Sequence, residues 1–135
     1  MEILNVPTTS RTEFVDITNL IRDTVSGNGW SDGILTIYCP HTTAAITINE
    51  AADPDVQSDI LKTLGKLIPH RDNYAHMEGN SDAHIKASVV GSSQQVIIEN
   101  GQLILGTWQG IFFCEFDGPR SRKVFAQFVK CDSGA

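Results

Sequence analysis

The chain has no apolar run longer than a few residues, far short of the roughly 20 that a membrane-spanning helix needs. No charged segment followed by an apolar stretch opens it, so no export signal is visible and a cytoplasmic protein is expected. Cysteine is scarce. Cys39, Cys114 and Cys131 show no metal-type pair spacing, and an odd count without a secretion signal fits a reducing compartment. Cys39 and Cys114 lie within apolar runs and read as small buried hydrophobes. Positive charge is also short, with 10 Lys and Arg against 16 Asp and Glu for a net charge of −6. That argues against nucleic acid, whose partners need a basic face. A local pocket for a small phosphorylated molecule stays open, with Lys86, Arg120, Arg122 and Lys123 available for it. The Gly-x-Ser-x-Gly elbow of many hydrolases and the Gly-rich nucleotide loop are absent, as are repeats and linkers.

What is present suits one domain over residues 1–135, with 41% apolar residues and room for one core. Residues 1–8 and 13–15 read as extended. A helix follows through Leu20, Ile21 and Val25, capped by Asp16 or Thr18 and ended by Gly27 and Gly29. The β-branched run 34–39 predicts a strand broken by Pro40, and 43–49 predicts the next. Asp53-Pro54-Asp55 is a helix start, and Val56, Ile60, Leu64 and Leu67 give that helix an apolar stripe up to Pro69. Residues 70–82 predict a long polar loop, ordered by Tyr74 and Met77, with His70 meeting the preceding helix dipole. A short helix over 83–90 ends at Gly91. Strands at 95–99 and 102–105 are joined by the Asn100-Gly101 hairpin signal, and strands at 109–116 and 122–130 complete the chain. The expected class is α+β, with mostly antiparallel sheets in a sandwich-like core, two main helices and a short third.

Chemistry concentrates around histidine. His41 stands in Pro40-His41-Thr42-Thr43, between two strands. His76 and His84 fall in a thirteen-residue stretch that also holds Glu78, Asn80, Ser81, Asp82 and Lys86. Loop geometry can bring His76 and His84 to one point, and His41 is the natural third member. Three histidines with an open fourth position form a catalytic zinc pattern. Asp82 or Glu78 could orient a ring or take a proton, although polar loop residues also bond a loop to itself. Asp53 and Asp55 are explained by capping, which leaves Glu50 as the better base. Ser92 and Arg120 lie in turn segments that could meet an anion. Trp108 could pack in a core or subunit contact, or stack on a heteroaromatic ring.

The combination His41-Thr42-Thr43-Ala44-Ala45, Asn49-Glu50, Asp53-Pro54-Asp55-Val56, Gly79-Asn80-Ser81-Asp82-Ala83-His84-Ile85-Lys86, Asn100-Gly101, Leu105 to Gly110 and Glu115 to Arg120 resembles the YjbQ-like family of small bacterial and archaeal proteins. The pieces occur in family order over nearly the whole chain. The resemblance implies a sandwich-like subunit that assembles as a homotrimer, a polar histidine-containing pocket, a metal in some members, and a secondary thiamine-phosphate synthase activity. That reaction joins a pyrimidine diphosphate to a thiazole phosphate and releases pyrophosphate. On this reading His41, His76 and His84 hold a divalent metal, zinc first and magnesium with a pyrophosphate substrate, while Glu50 and Asp82 handle protons. Asn49, Asn80, Lys86, Ser92, Trp108, Gln109 and Arg120 would meet substrate or phosphate, with Trp108 stacking the pyrimidine. Two other expectations stay open. One is a metal-dependent hydrolase using the same histidines. The other is a non-catalytic trimeric protein that binds a metal or ligand. None of the three involves nucleic acid or membrane.

Overall fold

In a computed structural model, which describes residues 1–132, eight strands and three helices follow one another along the chain. They are β1 (Glu2–Pro7), β2 (Glu13–Asp16), α1 (Thr18–Asn28), β3 (Gly33–Tyr38), β4 (Ala44–Glu50), α2 (Pro54–Leu67), α3 (Ser81–Val90), β5 (Ser93–Glu99), β6 (Gln102–Leu103), β7 (Gln109–Glu115) and β8 (Ser121–Lys130). Five strands form one antiparallel sheet in the order β1-β8-β3-β5-β6, and three form a second in the order β2-β7-β4. No helix is long and apolar enough to cross a membrane among the described residues.

Strand alternation explains the layering. Leu35 and Ile37 of β3, Val96 and Ile98 of β5 and Val124 and Ala126 of β8 point at Ile46 of β4 and Ile111 and Phe113 of β7. Ile21 and Val25 of α1 close the same core. The small sheet buries its other face too. Ala45, Cys114 and Phe116 pack against Ala83 and Ala87 of α3, with Leu61 and Leu64 of α2 behind them. Residues 110–116 are therefore buried without interruption, the continuous apolar pattern of a strand covered on both sides. Burial of the Cys39 and Cys114 thiols pushes both pKa values up, as expected of packing residues.

Local signals act as their chemistry requires. The Asp53 carboxylate accepts from Asp55 N–H (2.9 Å), with Pro54 opening α2. Asn100 and Gly101 both hold positive φ, 50° and 74°, the pair of left-handed residues that a tight hairpin turn needs. Three expectations are corrected. β6 stops at Leu103, because the chain leaves the sheet edge for a turn in which Gly106 N–H bonds the Gln109 side chain (2.7 Å). His70 does not serve the α2 dipole; its Nε2–H donates to the Gly79 carbonyl (2.9 Å) and ties the ends of the 70–79 loop together. Tyr74 anchors that loop through its hydroxyl to the Pro69 carbonyl, whereas Met77 is 96% exposed and anchors nothing.

Candidate functional site

One end of the sandwich gathers the turn between β3 and β4, the turn between β7 and β8, the N-terminus of α3 and the loop before it. Between them lies an open cavity of about 450 Å³. His41, Thr43, His76, Asn80, His84, Asp117, Arg120 and Arg122 are among its lining residues.

Its frame is a buried ion pair that joins the two sheets. Glu115 ends β7 in the small sheet, and Arg122 is the second residue of β8 in the large one. Arg122 Nε donates to Glu115 Oε1 (2.8 Å), and Nη2 donates to Glu115 Oε2 and to Thr43 Oγ1 (2.9 Å). The Thr8 hydroxyl (2.7 Å) and the Asp117 N–H (3.0 Å) complete the carboxylate's partners. Burial raises the Glu115 pKa, but the Arg122 hydrogen bonds, the Asp117 and Thr8 donors and the Arg122 charge outweigh it and hold the carboxyl below the usual range. Gly118 is required beside it, since a Cβ there would lie 2.3 Å from Ser10 O and 2.8 Å from Glu115 Cγ.

A second buried carboxylate fixes α3. Asp82 is fully buried and accepts from Arg11 Nη2 (3.0 Å), Arg11 Nη1 (3.2 Å) and Lys86 Nζ (3.0 Å). Burial pushes its pKa up; the hydrogen bonds and charges of Arg11 and Lys86 bring it below the ordinary value. Folded pKa values below the unfolded ones mean that both carboxylates stabilise the fold above about pH 4 and that this contribution is lost as pH falls through their folded values. Acid denaturation followed by circular dichroism should therefore show an Asp82→Asn variant with a shallower pH dependence below pH 4 than the parent. An unchanged profile would mean that Asp82 is not held ionised by its partners.

His41 owes its position to a strand ending. β3 pairs with β8 as far as Tyr38 and Phe125, so Lys123 N–H has no β3 partner, and it donates to His41 Nε2 (2.9 Å). Burial, first, and the Arg122 charge lower the His41 pKa. A neutral ring that accepts at Nε2 carries its proton on Nδ1, so neither nitrogen offers a lone pair to a metal. His76 and His84 stand edge to face with ring centroids 5.5 Å apart. Among the described residues no three His, Cys, Asp or Glu side chains converge to hold a metal ion. The three histidines share a cavity, but as folded they do not fit a three-histidine zinc centre.

His84 borders two further cavities. One, of about 380 Å³, is walled by Tyr74, Ala75, His76, Ser81 and Ile85. The other, of about 550 Å³, lies on the far side of His41. Arg120 bonds Asp117 through Nε to the carbonyl (2.8 Å) and Nη2 to the carboxylate (2.9 Å), and Asn80 Nδ2 donates to the same carboxylate oxygen (2.8 Å). Asn80 Oδ1 is buried without a hydrogen-bond partner.

Of the residues expected at a site, His41, His76, His84, Asn80 and Arg120 line the main cavity, and Ser92 lines the cavity beyond His41. Asp82 and Lys86 lie beneath it, bonded to each other rather than open to a ligand. Asn49, Glu50 and Gln109 occupy the opposite ends of β4 and β7. With six residue steps from Ala44 to Glu50, they are about 20 Å away. Trp108 lies beside them and is 63% exposed. Arg122 was one of four available basic residues. Its pairing with Glu115, and the parts of Thr43 and Asp117, were not anticipated. A charged residue on the inward phase of β8, alternating with Val124 and Ala126, is the signal that marks Arg122.

Fold and site together define a two-sheet α+β protein with a histidine- and arginine-lined cavity at one end of its sandwich. The family model for UPF0047 protein YjbQ-like proteins matches residues 2–131. This chain belongs to that family. It is 56% identical to UPF0047 protein MJ1081 of Methanocaldococcus jannaschii over 124 residues, covering 92% of this chain and 90% of that protein. It is 52% identical to UPF0047 protein YugU of Bacillus subtilis over 130 residues, covering 96% and 98%. A crystal structure of an uncharacterized conserved yjbq/upf0047 family protein from Clostridium acetobutylicum superposes with TM-score 0.93 at 58% identity, covering 96% of this chain and all of that one. Hypothetical protein APE1520 from Aeropyrum pernix gives TM-score 0.91 at 35% identity, covering 96% and 99%.

Proposed function

We propose that the protein is an enzyme that acts on a small phosphorylated substrate held in the His41–Arg122 cavity, with thiamine-phosphate synthesis as the first reaction to test. The observation that carries the reading is the meeting of three imidazoles and two guanidiniums around one cavity. Guanidinium donors suit phosphate oxygens, and imidazoles exchange protons near neutral pH. Each guanidinium already faces a carboxylate, so recognition rests on directed N–H donors more than on a net positive field. Arg122 Nη1 and Arg120 Nη1 have no protein partner among the described residues and are the donors left for an anion.

His84 and His76 are the proton-transfer groups in this reading. His41, fixed as the Nδ1–H form, serves as a hydrogen-bond donor, and Asp82 holds the helix that presents His84 in place of moving protons itself. The exposed apolar residues Ile3, Ile97, Trp108 and Val129 offer surface for assembly as a homotrimer, which is part of the same reading. Inorganic pyrophosphate, a product of the named reaction, tests it by calorimetric titration. Saturable binding is expected, weakened about tenfold to a hundredfold by Arg120→Ala through loss of one or two charge-assisted hydrogen bonds. Equal binding by parent and variant, or none by either, would remove phosphate from the assignment.

A further inference from the structure

The cavity beyond His41 shares His41, Thr42 and His84 with the arginine-lined one, and Ala44, Ala87, Ser88, Gly91 and Ser92 complete it. None of those residues is a carboxylate, a lysine or an arginine. Its volume, about 550 Å³, is within the range of small-molecule sites. Its walls are fixed by the fold. Ala44 is buried in the core between the sheets and Ala87 is buried against the outer face of the small sheet, the Ser92 carbonyl accepts from Cys39 N–H (2.7 Å), and the Gly91 carbonyl accepts from Ile46 N–H (3.1 Å). The Tyr74–Ile85 cavity, by contrast, is walled on one side by the exposed 70–79 loop.

We infer that this neutral compartment receives the uncharged organic half of a phosphate ester or anhydride whose phosphate occupies the arginine-lined compartment. The inference rests on the phosphate reading above and adds the class of molecule to it. The bond that joins the two halves then lies between His41 and His84, the residues common to both spaces. An uncharged wall next to a charged one sorts ligands by where their charge sits. A second anionic group on the organic half would meet no cationic lysine or arginine there, only the Thr42, Ser88 and Ser92 hydroxyls beside the histidines, so the compartment selects against substrates charged at both ends.

The test compares inorganic phosphate, phenyl phosphate and 4-carboxyphenyl phosphate by calorimetric titration. Phenyl phosphate is expected to bind about tenfold more tightly than inorganic phosphate, because the ring leaves water, and the carboxylated ester is expected to lose that gain. Ser88→Phe, which projects a ring into the compartment from α3, should bring the ratio of phenyl phosphate to inorganic phosphate affinity to about one. Ser92→Phe does the same from the turn that follows α3, so that a misfolded first variant does not end the test. If inorganic phosphate fails to bind the parent, the phosphate reading and this inference fall together. If phosphate binds but the parent's ratio is near one, or both phenylalanine variants keep the ratio, only the inference falls. A ratio lost instead in Ile85→Trp would place the organic half in the Tyr74–Ile85 cavity and overturn the assignment.

Discussion

Replacing Arg122 with alanine is expected to cost about 3–5 kcal/mol of stability, the range for removing one partner of a buried ion pair. For a domain of this size that corresponds to a fall in melting temperature on the order of 10–20 °C. The reason lies on the other side of the pair. Glu115 is fully buried, and without Arg122 it keeps only the Thr8 and Asp117 donors for a charge that has left water. Thr43 also loses the guanidinium that donates to it. The double change Arg122→Met with Glu115→Leu removes both charges at once and should recover much of the loss, because a buried pair adds little over well-packed apolar groups. Thermal denaturation of the two variants decides the matter. A single variant that melts within about 3 °C of the parent would mean that water reaches Glu115 and that the pair does not brace the end of the sandwich.

The second large effect falls on chemistry rather than stability. On the proposed function, His84→Ala should lower turnover of the cavity's substrate by about 100-fold to 10,000-fold, the usual contribution of a positioned acid or base. The ring faces His76 and borders three cavities, so no other side chain on α3 replaces it. His84 is only partly buried, and its side chain is not part of either apolar cluster. The melting temperature should therefore stay within a few degrees of the parent's, the usual range for a change outside the core. His76→Ala should have a smaller effect, since His76 sits on an exposed loop with only a loose approach to Glu78 (3.8 Å). A kinetic comparison of the two variants on thiamine-phosphate formation, with matched melting curves, separates a proton-transfer role from a structural one. An unimpaired His84→Ala enzyme would remove the histidine pair from the mechanism.

The fold was largely legible because its signals are local. Asp53-Pro54-Asp55, Asn100-Gly101 and the β-branched run of β3 each state their geometry within a few residues. The meeting of His41, His76 and His84 at one cavity was legible from the density of polar residues around each. What did not follow was depth and lone-pair direction. Lys86 looks like a phosphate ligand beside His84, but one helical turn separates it from Asp82, and the pair is buried together. His41 looks like a metal ligand until the end of β3 shows which backbone N–H it has to satisfy. Glu50 and Trp108 belong to motifs as distinctive as those at the cavity, yet the length of β4 carries them to the other end of the sandwich.

The central position of β8 governs the order in which the protein can be made. The last strand of the chain lies between β1 and β3, pairing with the first strand over residues 2–7 and with β3 over 33–38. Until β8 has left the ribosome, neither of those strands has its neighbour, and the large sheet is divided into a lone strand and a β3-β5-β6 fragment. β7 emerges first and can complete the small sheet with β2 and β4. Its outer face can then meet α3, while its inner face still lacks Val124 and Ala126 of β8. Nascent chains are therefore expected to carry exposed strand edges until β8 emerges, the condition in which chaperones are most needed. The residue that ends the wait is Arg122, one of the first of β8 to appear, arriving opposite a Glu115 already in place.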